Sequence, residues 1–198
     1  MSTLLKPLQV RGELLKRGVT IFSAQEFQRI FHAPPSRAKY FLEEYTHAGL
    51  FRRLKRGLYS LQDPSPSEEE IANLLYRPSY ISFEYALAAH NLLPEMVYAV
   101  TSATPKPTRT FVVAEKPFSY LTIKKQAFTG YLPSRRNGRT ILIAEPEKAL
   151  VDYLYFVSLS KKALNDRLTL TQLDRNKIHA YARLYRRDRL DRLIRELL

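Results

Sequence analysis

The sequence predicts an α+β chain in two parts, and three observations carry that reading. Apolar residues recur at helical spacing near both ends, residues 96–144 are rich in β-branched strand formers, and "QDPSPSEEE" (62–70) has the turn and charge composition of a linker. With 198 residues, 45% of them apolar, the chain can build one large domain or two small ones. The domains expected are 1–61 and 71–198, joined by 62–70.

The first part reads as helix, short strand, helix, turn, helix, hairpin. "GELLKRG" opens it as a helix with Leu8, Leu14 and Leu15 on an apolar edge, closed by Gly18. "VTIF" (19–22) suits a brief strand. Ser23 and Glu26 have the spacing of a capping box for the helix "AQEFQRIF". Pro34 and Pro35 break the chain and suit the first turn of the next helix, about 35–48. There Ala38, Phe41, Leu42, Tyr45 and Ala48 form the buried stripe, and Gly49 ends it. "LFRRLKRGLYSL" (50–61) then folds back as strands 50–54 and 58–61 around a turn at Lys55, Arg56 and Gly57. That order is a winged helix-turn-helix.

In such a fold the second helix of the motif enters the major groove of double-stranded DNA with its N-terminal residues on base edges. Those residues are Ser36, Arg37, Lys39 and Tyr40. Arg37 has the reach for guanine, and Tyr40 suits a phosphate. Arg52, Arg53, Lys55 and Arg56 fall on the wing, placed for the DNA backbone or a minor groove. The alternative is that they only solvate a hairpin edge and keep it from aggregating.

Ser67 and Glu70 make a second capping box leading into "EEEIANLLY". A helix is expected from about 83 to 91, after Ser82. Strands are expected at 96–102, 110–115, 118–124 and 139–144, with the tightest turn at "RNG" (136–138). Helices from Pro146, in 171–185 and in 187–198, close this mainly antiparallel α+β domain.

Charge is uneven. Residues 1–61 hold 11 Lys/Arg against 4 Asp/Glu, residues 62–134 hold 6 against 7, and residues 135–198 hold 15 against 8. A net charge of +13 with basic ends points to a polyanionic partner. From Asp174 onward, Ile178, Tyr181, Tyr185, Leu190, Leu193, Ile194 and Leu197 line one helical face. Arg175, Lys177, Arg183, Arg186, Arg187, Arg189, Arg192 and Arg195 line the other. Either these helices dock with a solvated outside, helped by Asp188, Asp191 and Glu196, or they present an anion-facing surface.

There is no Cys, and His32, His47, His90 and His179 lack metal-ligand spacing. No cofactor, metal or catalytic residue is therefore expected. Neither a signal peptide nor a run of membrane-spanning length is seen, so the expectation is a cytoplasmic protein. Glu145, Glu147, Lys148 and Asp152, with Glu84, invite comparison with metal-dependent nucleases. Lys148 follows Glu147 directly in a helix's first turn, where acids are favoured on dipole grounds alone, and this spacing argues against an enzyme.

The middle of the chain resembles the AbiEi family, the antitoxins of type IV toxin–antitoxin systems. The likeness runs over about residues 10–160. It rests on a helix opening at Ser82 and Glu84 and running to Pro94, and on "VTSAT" (100–104) with Thr101, Ser102 and Thr104. "AEPEKAL" (144–150), with Glu145, Pro146, Glu147 and Lys148, and "RGLY" (56–59) complete it. The resemblance implies a bacterial repressor of its own promoter, bound at inverted repeats, and an antitoxin that neutralises a nucleotidyltransferase toxin without a stable complex. The bland reading of "AEPEKAL" is a helix start that buries Ala149, Leu150, Tyr153 and Leu154. The alternatives are a winged-helix regulator without a toxin and, least supported, a winged-helix nuclease.

Overall fold

A computed structural model of the chain describes residues 5–136 and 138–198. The chain is α+β and forms two compact units divided between Leu75 and Tyr76. In the first, helix α1 (Pro7–Lys16) is followed by strand β1 (Ile21–Ser23) and helices α2 (Ala24–Phe31) and α3 (Pro35–His47). Strands β2 (Phe51–Lys55) and β3 (Leu58–Leu61) and helix α4 (Glu68–Leu75) complete it. The three strands form an antiparallel sheet in the order β1-β3-β2.

Helix α1 begins earlier than the periodicity suggests, because Pro7 suits a first helical turn. It buries Val10 and Leu14, whereas Leu8 is 82% exposed, so Leu8 leaves the expected apolar edge. Strand β1 starts two residues late for a definite reason. Gly18, at φ 66°, and Val19 donate back to the carbonyls of Leu15 and Leu14, so both close α1 instead of joining the sheet. Both bonds of the Ser23–Glu26 capping box are formed.

The core of this unit is aromatic. The Phe27 and Phe51 rings lie with centroids between 5.4 and 6.3 Å from those of Phe22 and Phe41 and from each other, Phe22 and Phe51 edge to face. Such pairs add about 0.5–1.5 kcal/mol each beyond the area they bury. Around them pack Val10, Leu14, Ala38, Leu42, Tyr59 and Leu61. The hairpin is irregular: Arg53 pairs with Tyr59 but Lys55 with Leu58, so Leu54 is an extra, buried residue.

Residues 62–70 do not part the two units. They return the chain within the first unit, capped by reciprocal Ser67 and Glu70 bonds, so that α4 stays with it. The Lys55 ammonium donates to the Leu75 carbonyl at the end of α4. The boundary therefore falls at 75/76, because α4 is amphipathic and must cover apolar surface with Ile71, Ala72 and Leu75.

The second unit contains a six-stranded sheet. Its strands are β4 (Tyr80–Ile81), β5 (Val100–Thr104), β6 (Arg109–Val113), β7 (Lys116–Thr122), β8 (Tyr131–Arg136) and β9 (Arg139–Ala144). Helix α5 (Phe83–Ala89) follows β4. Helices α6 (Pro146–Ser158), α7 (Arg175–Arg183) and α8 (Asp188–Leu197) end the chain. The strand order is β6-β7-β5-β4-β9-β8, with three antiparallel and two parallel pairings.

Two strands escape the sequence reading. β4 is too short to show a period, and β8 contains Pro133, which only an edge strand tolerates. β5 begins at Val100 rather than 96, leaving Met96 fully in solvent. The turn expected at 136–138 includes residue 137, which lies outside the described residues. Among the described residues no helix is long and apolar enough to cross a membrane.

Candidate nucleic-acid interface and the Asp152 hub

Ala38, Phe41 and Leu42 turn inward on α3, which fixes its outward face. That face carries Ser36, Lys39 and Tyr40, with Tyr40 69% exposed, followed by exposed Glu43 and Glu44. No acidic residue occupies the first turn, so the positive helix end is left to attract anions. Arg37 sits at the margin, half-buried and already engaged by a neighbour.

The hairpin cations divide. Arg53 and Arg56 are exposed, and among the described residues neither has an ion-pair partner. Arg52 is half-buried. Lys55 differs from the expectation, because its ammonium caps the C-terminal carbonyl of α4. α4 also brings Glu68, Glu69 and Glu70 into this unit. Through Leu75 the count becomes 11 Lys/Arg against 8 Asp/Glu, while residues 76–198 hold 21 against 11.

In the second unit Ser82 and Lys148 meet at Asp152, two residues beyond "AEPEKAL". Asp152 is wholly buried and accepts hydrogen bonds from Tyr80 at 2.8 Å, from Ser82 at 2.7 Å, and from Tyr185. Lys148, one turn earlier on α6 and also wholly buried, forms an ion pair with it. Burial holds Lys148 below the usual lysine range, against the opposing pull of Asp152. Burial, then the Asp152 charge, pushes the Tyr80 and Tyr185 phenols well above theirs.

The rest of "AEPEK" holds α7. Glu145 accepts from the Tyr181 hydroxyl and from Lys177, and Glu147 accepts from the Asp174 amide at the start of that helix. Pro146 occupies the first turn of α6. The Tyr181 hydrogen bond, with help from Lys177, lowers the Glu145 pKa. Gly130 lets Tyr181 approach: a Cβ there would lie 2.6 Å from its ring. The motif is thus a socket in which α7 is seated.

Thr101 donates to the Ser82 carbonyl and accepts from the Tyr85 amide, and Thr104 donates to the Pro78 carbonyl. These bonds secure the segment in which Phe83 adopts a left-handed φ of 58°. The Ser102 hydroxyl is buried and has no hydrogen-bond partner among the described residues. Glu84 pairs with Lys162 instead of joining the acids of α6. The acids compared with a nuclease site are therefore spread over three separate contacts, and the described residues contain no group of three or more potential metal ligands.

α7 and α8 dock through buried Ile178, Tyr185, Leu190 and Ile194, with Tyr181, Leu193 and Leu197 partly covered. Arg187 binds the Ser158 carbonyl and hydroxyl at the end of α6. Among the described residues Asp188, Asp191 and Glu196 form no ion pairs with the neighbouring arginines, contrary to expectation.

Sequence reasoning passed over the hub formed by Tyr80, Asp152 and Tyr185. A signal was present. α6 is apolar on nearly every side, so a Lys and an Asp four residues apart within it have no wet face and must answer each other. The chain matches no family model and no curated protein.

Proposed function

We propose that the chain is a cytoplasmic DNA-binding autorepressor and the antitoxin of a type IV toxin–antitoxin pair. Its first unit acts as a winged helix-turn-helix. The observation that carries the DNA-binding half is the pairing of two outward surfaces around one aromatic core. These are the Ser36, Lys39 and Tyr40 face of α3 and the unpaired Arg53 and Arg56 of the hairpin. An α3 of 13 residues spans about 20 Å at 1.5 Å per residue, which suits a major groove. Ser36, Lys39 and Tyr40 would meet bases and phosphates, and the two arginines would meet the backbone.

The antitoxin half rests on the AbiEi resemblance. Its toxin would be a nucleotidyltransferase, neutralised without a stable complex. Its operator would be an inverted repeat in its own promoter.

Two measurements test the reading. Full-length protein should bind a duplex from its own promoter more tightly than a scrambled one, with an affinity that falls steeply as salt rises. Co-expression with the neighbouring reading frame should relieve that gene's toxicity. Binding without rescue would leave a winged-helix regulator and remove the antitoxin.

A further inference from the structure

The six-stranded sheet has two edges, and they are built differently. β8 carries Pro133, which offers no N–H, and exposed Arg135. Both features blunt an edge against pairing with another chain. β6, with the sequence RTFVV, has no proline and is β-branched or aromatic at every position but the first. Thr110 and Val112 lie in solvent, Val112 at 67% exposure.

The turn fixes where the β6 backbone points. Ala114 and Glu115, at φ 46° and 65°, join β6 to β7. In a two-residue turn of this kind the flanking residues, here Val113 and Lys116, exchange both backbone bonds. Bonding positions then alternate, so Val113, Phe111 and Arg109 address β7. Thr110 and Val112 turn their N–H and C=O groups away from it. The register agrees, because Pro117, which has no N–H, falls opposite Val112, where none is needed.

We propose that β6 is a dimerisation edge, to which a second copy of this chain adds its own β6 antiparallel across a two-fold axis at Phe111. In that register Thr110 of each copy faces Val112 of the other, and their outward groups exchange four N–H···O bonds. Exposed Arg109 lies at one end of the strand and exposed Glu115 just beyond the other. Antiparallel addition therefore brings the cation of each copy toward the anion of its mate, at both ends. Parallel addition would set like charge beside like. The two-fold axis also suits an inverted-repeat operator, although the dimer does not depend on DNA binding.

Sedimentation equilibrium of the full chain tests this. As concentration rises, the wild type should move from 23.1 kDa toward twice that mass. Val112→Pro removes an outward N–H and leaves the bonds to β7, so it should stay monomeric with an unchanged circular dichroism spectrum. Arg109→Glu and Glu115→Arg should each weaken the dimer, and the two together should restore it. A wild type that stays monomeric throughout, pairing only with a different protein included, overturns the proposal. So does a Val112→Pro protein that still dimerises, or a double charge reversal that does not recover.

Discussion

Lys148 and Asp152 stand one helical turn apart on α6, both without solvent exposure, and form a buried ion pair. Removing one partner strands the other. Lys148→Met should cost about 3–5 kcal/mol, because it leaves a buried carboxylate with only hydroxyl partners. Asp152→Asn should act in the same direction by leaving a buried ammonium. The double variant should cost less than the two single losses added together, and urea unfolding of all four proteins checks it.

Gly130→Ala should destabilise the second unit twice over. The new Cβ meets the Tyr181 ring at 2.6 Å, and the backbone there has a φ of 72°. The backbone part alone is worth about 1 kcal/mol or more. Adding Tyr181→Ala should relieve the clash but not the backbone strain. The loss of Tm in the double variant should thus fall below the sum of the single losses.

Acid should loosen the seating of α7. The lowered Glu145 pKa means that its contacts stabilise the fold fully above the usual carboxylate range. That contribution disappears as pH falls through the depressed folded value. Tyr181→Phe should lower Tm at neutral pH, and the gap to wild type should narrow below about pH 4. A gap that is unchanged at pH 3 would show that Glu145 is not the group being felt.

On DNA, Arg53→Ala and Arg56→Ala should each flatten the salt dependence by about one unit and weaken all sequences alike. Lys55→Ala should instead lower stability and leave that slope unchanged, since its ammonium is spent on Leu75. Lys39→Ala and Tyr40→Phe should change affinity without altering the fold. Fluorescence anisotropy at several salt concentrations separates the three behaviours.

Cutting the chain at residue 61 or at residue 75 should give different products. A fragment ending at 75 keeps α4 and the partner of Lys55, so it should unfold in one cooperative step. A fragment ending at 61 loses α4 and the carbonyl that Lys55 binds, and it should be less stable or aggregate. Thermal unfolding of both decides it.

These outcomes also show what the chain displays openly. The first unit was legible because its signals are local: Ser23 and Glu26 close a capping box, Gly18 ends a helix, and the aromatic stripe of α3 has helical spacing. The place of α4 was not legible. "QDPSPSEEE" has a linker's composition whether the chain leaves a domain or turns back onto it, and what tells the two apart is long-range: the Arg11–Asp63 ion pair and the Lys55–Leu75 bond. The hub was hidden for a related reason. Tyr80, Ser82, Asp152 and Tyr185 span more than a hundred positions, and no periodicity joins residues that far apart. β4 stayed unseen because two residues carry no period at all.

That shortest strand has a kinetic consequence. β6 with β7, and β8 with β9, are hairpins whose partners lie close in the chain, so each can form early. β4 must then be captured between β5 and β9, and its contact between Ile81 and Ile143 closes a long loop for a single bridge. Until it docks, β5 and β9 both present open edges and the sheet exists as two separate pieces. Tyr80 and Ile81 therefore act as a keystone set late. Substitutions there should chiefly speed the unit's unfolding, whereas those in the early-forming hairpin turns should chiefly slow its folding.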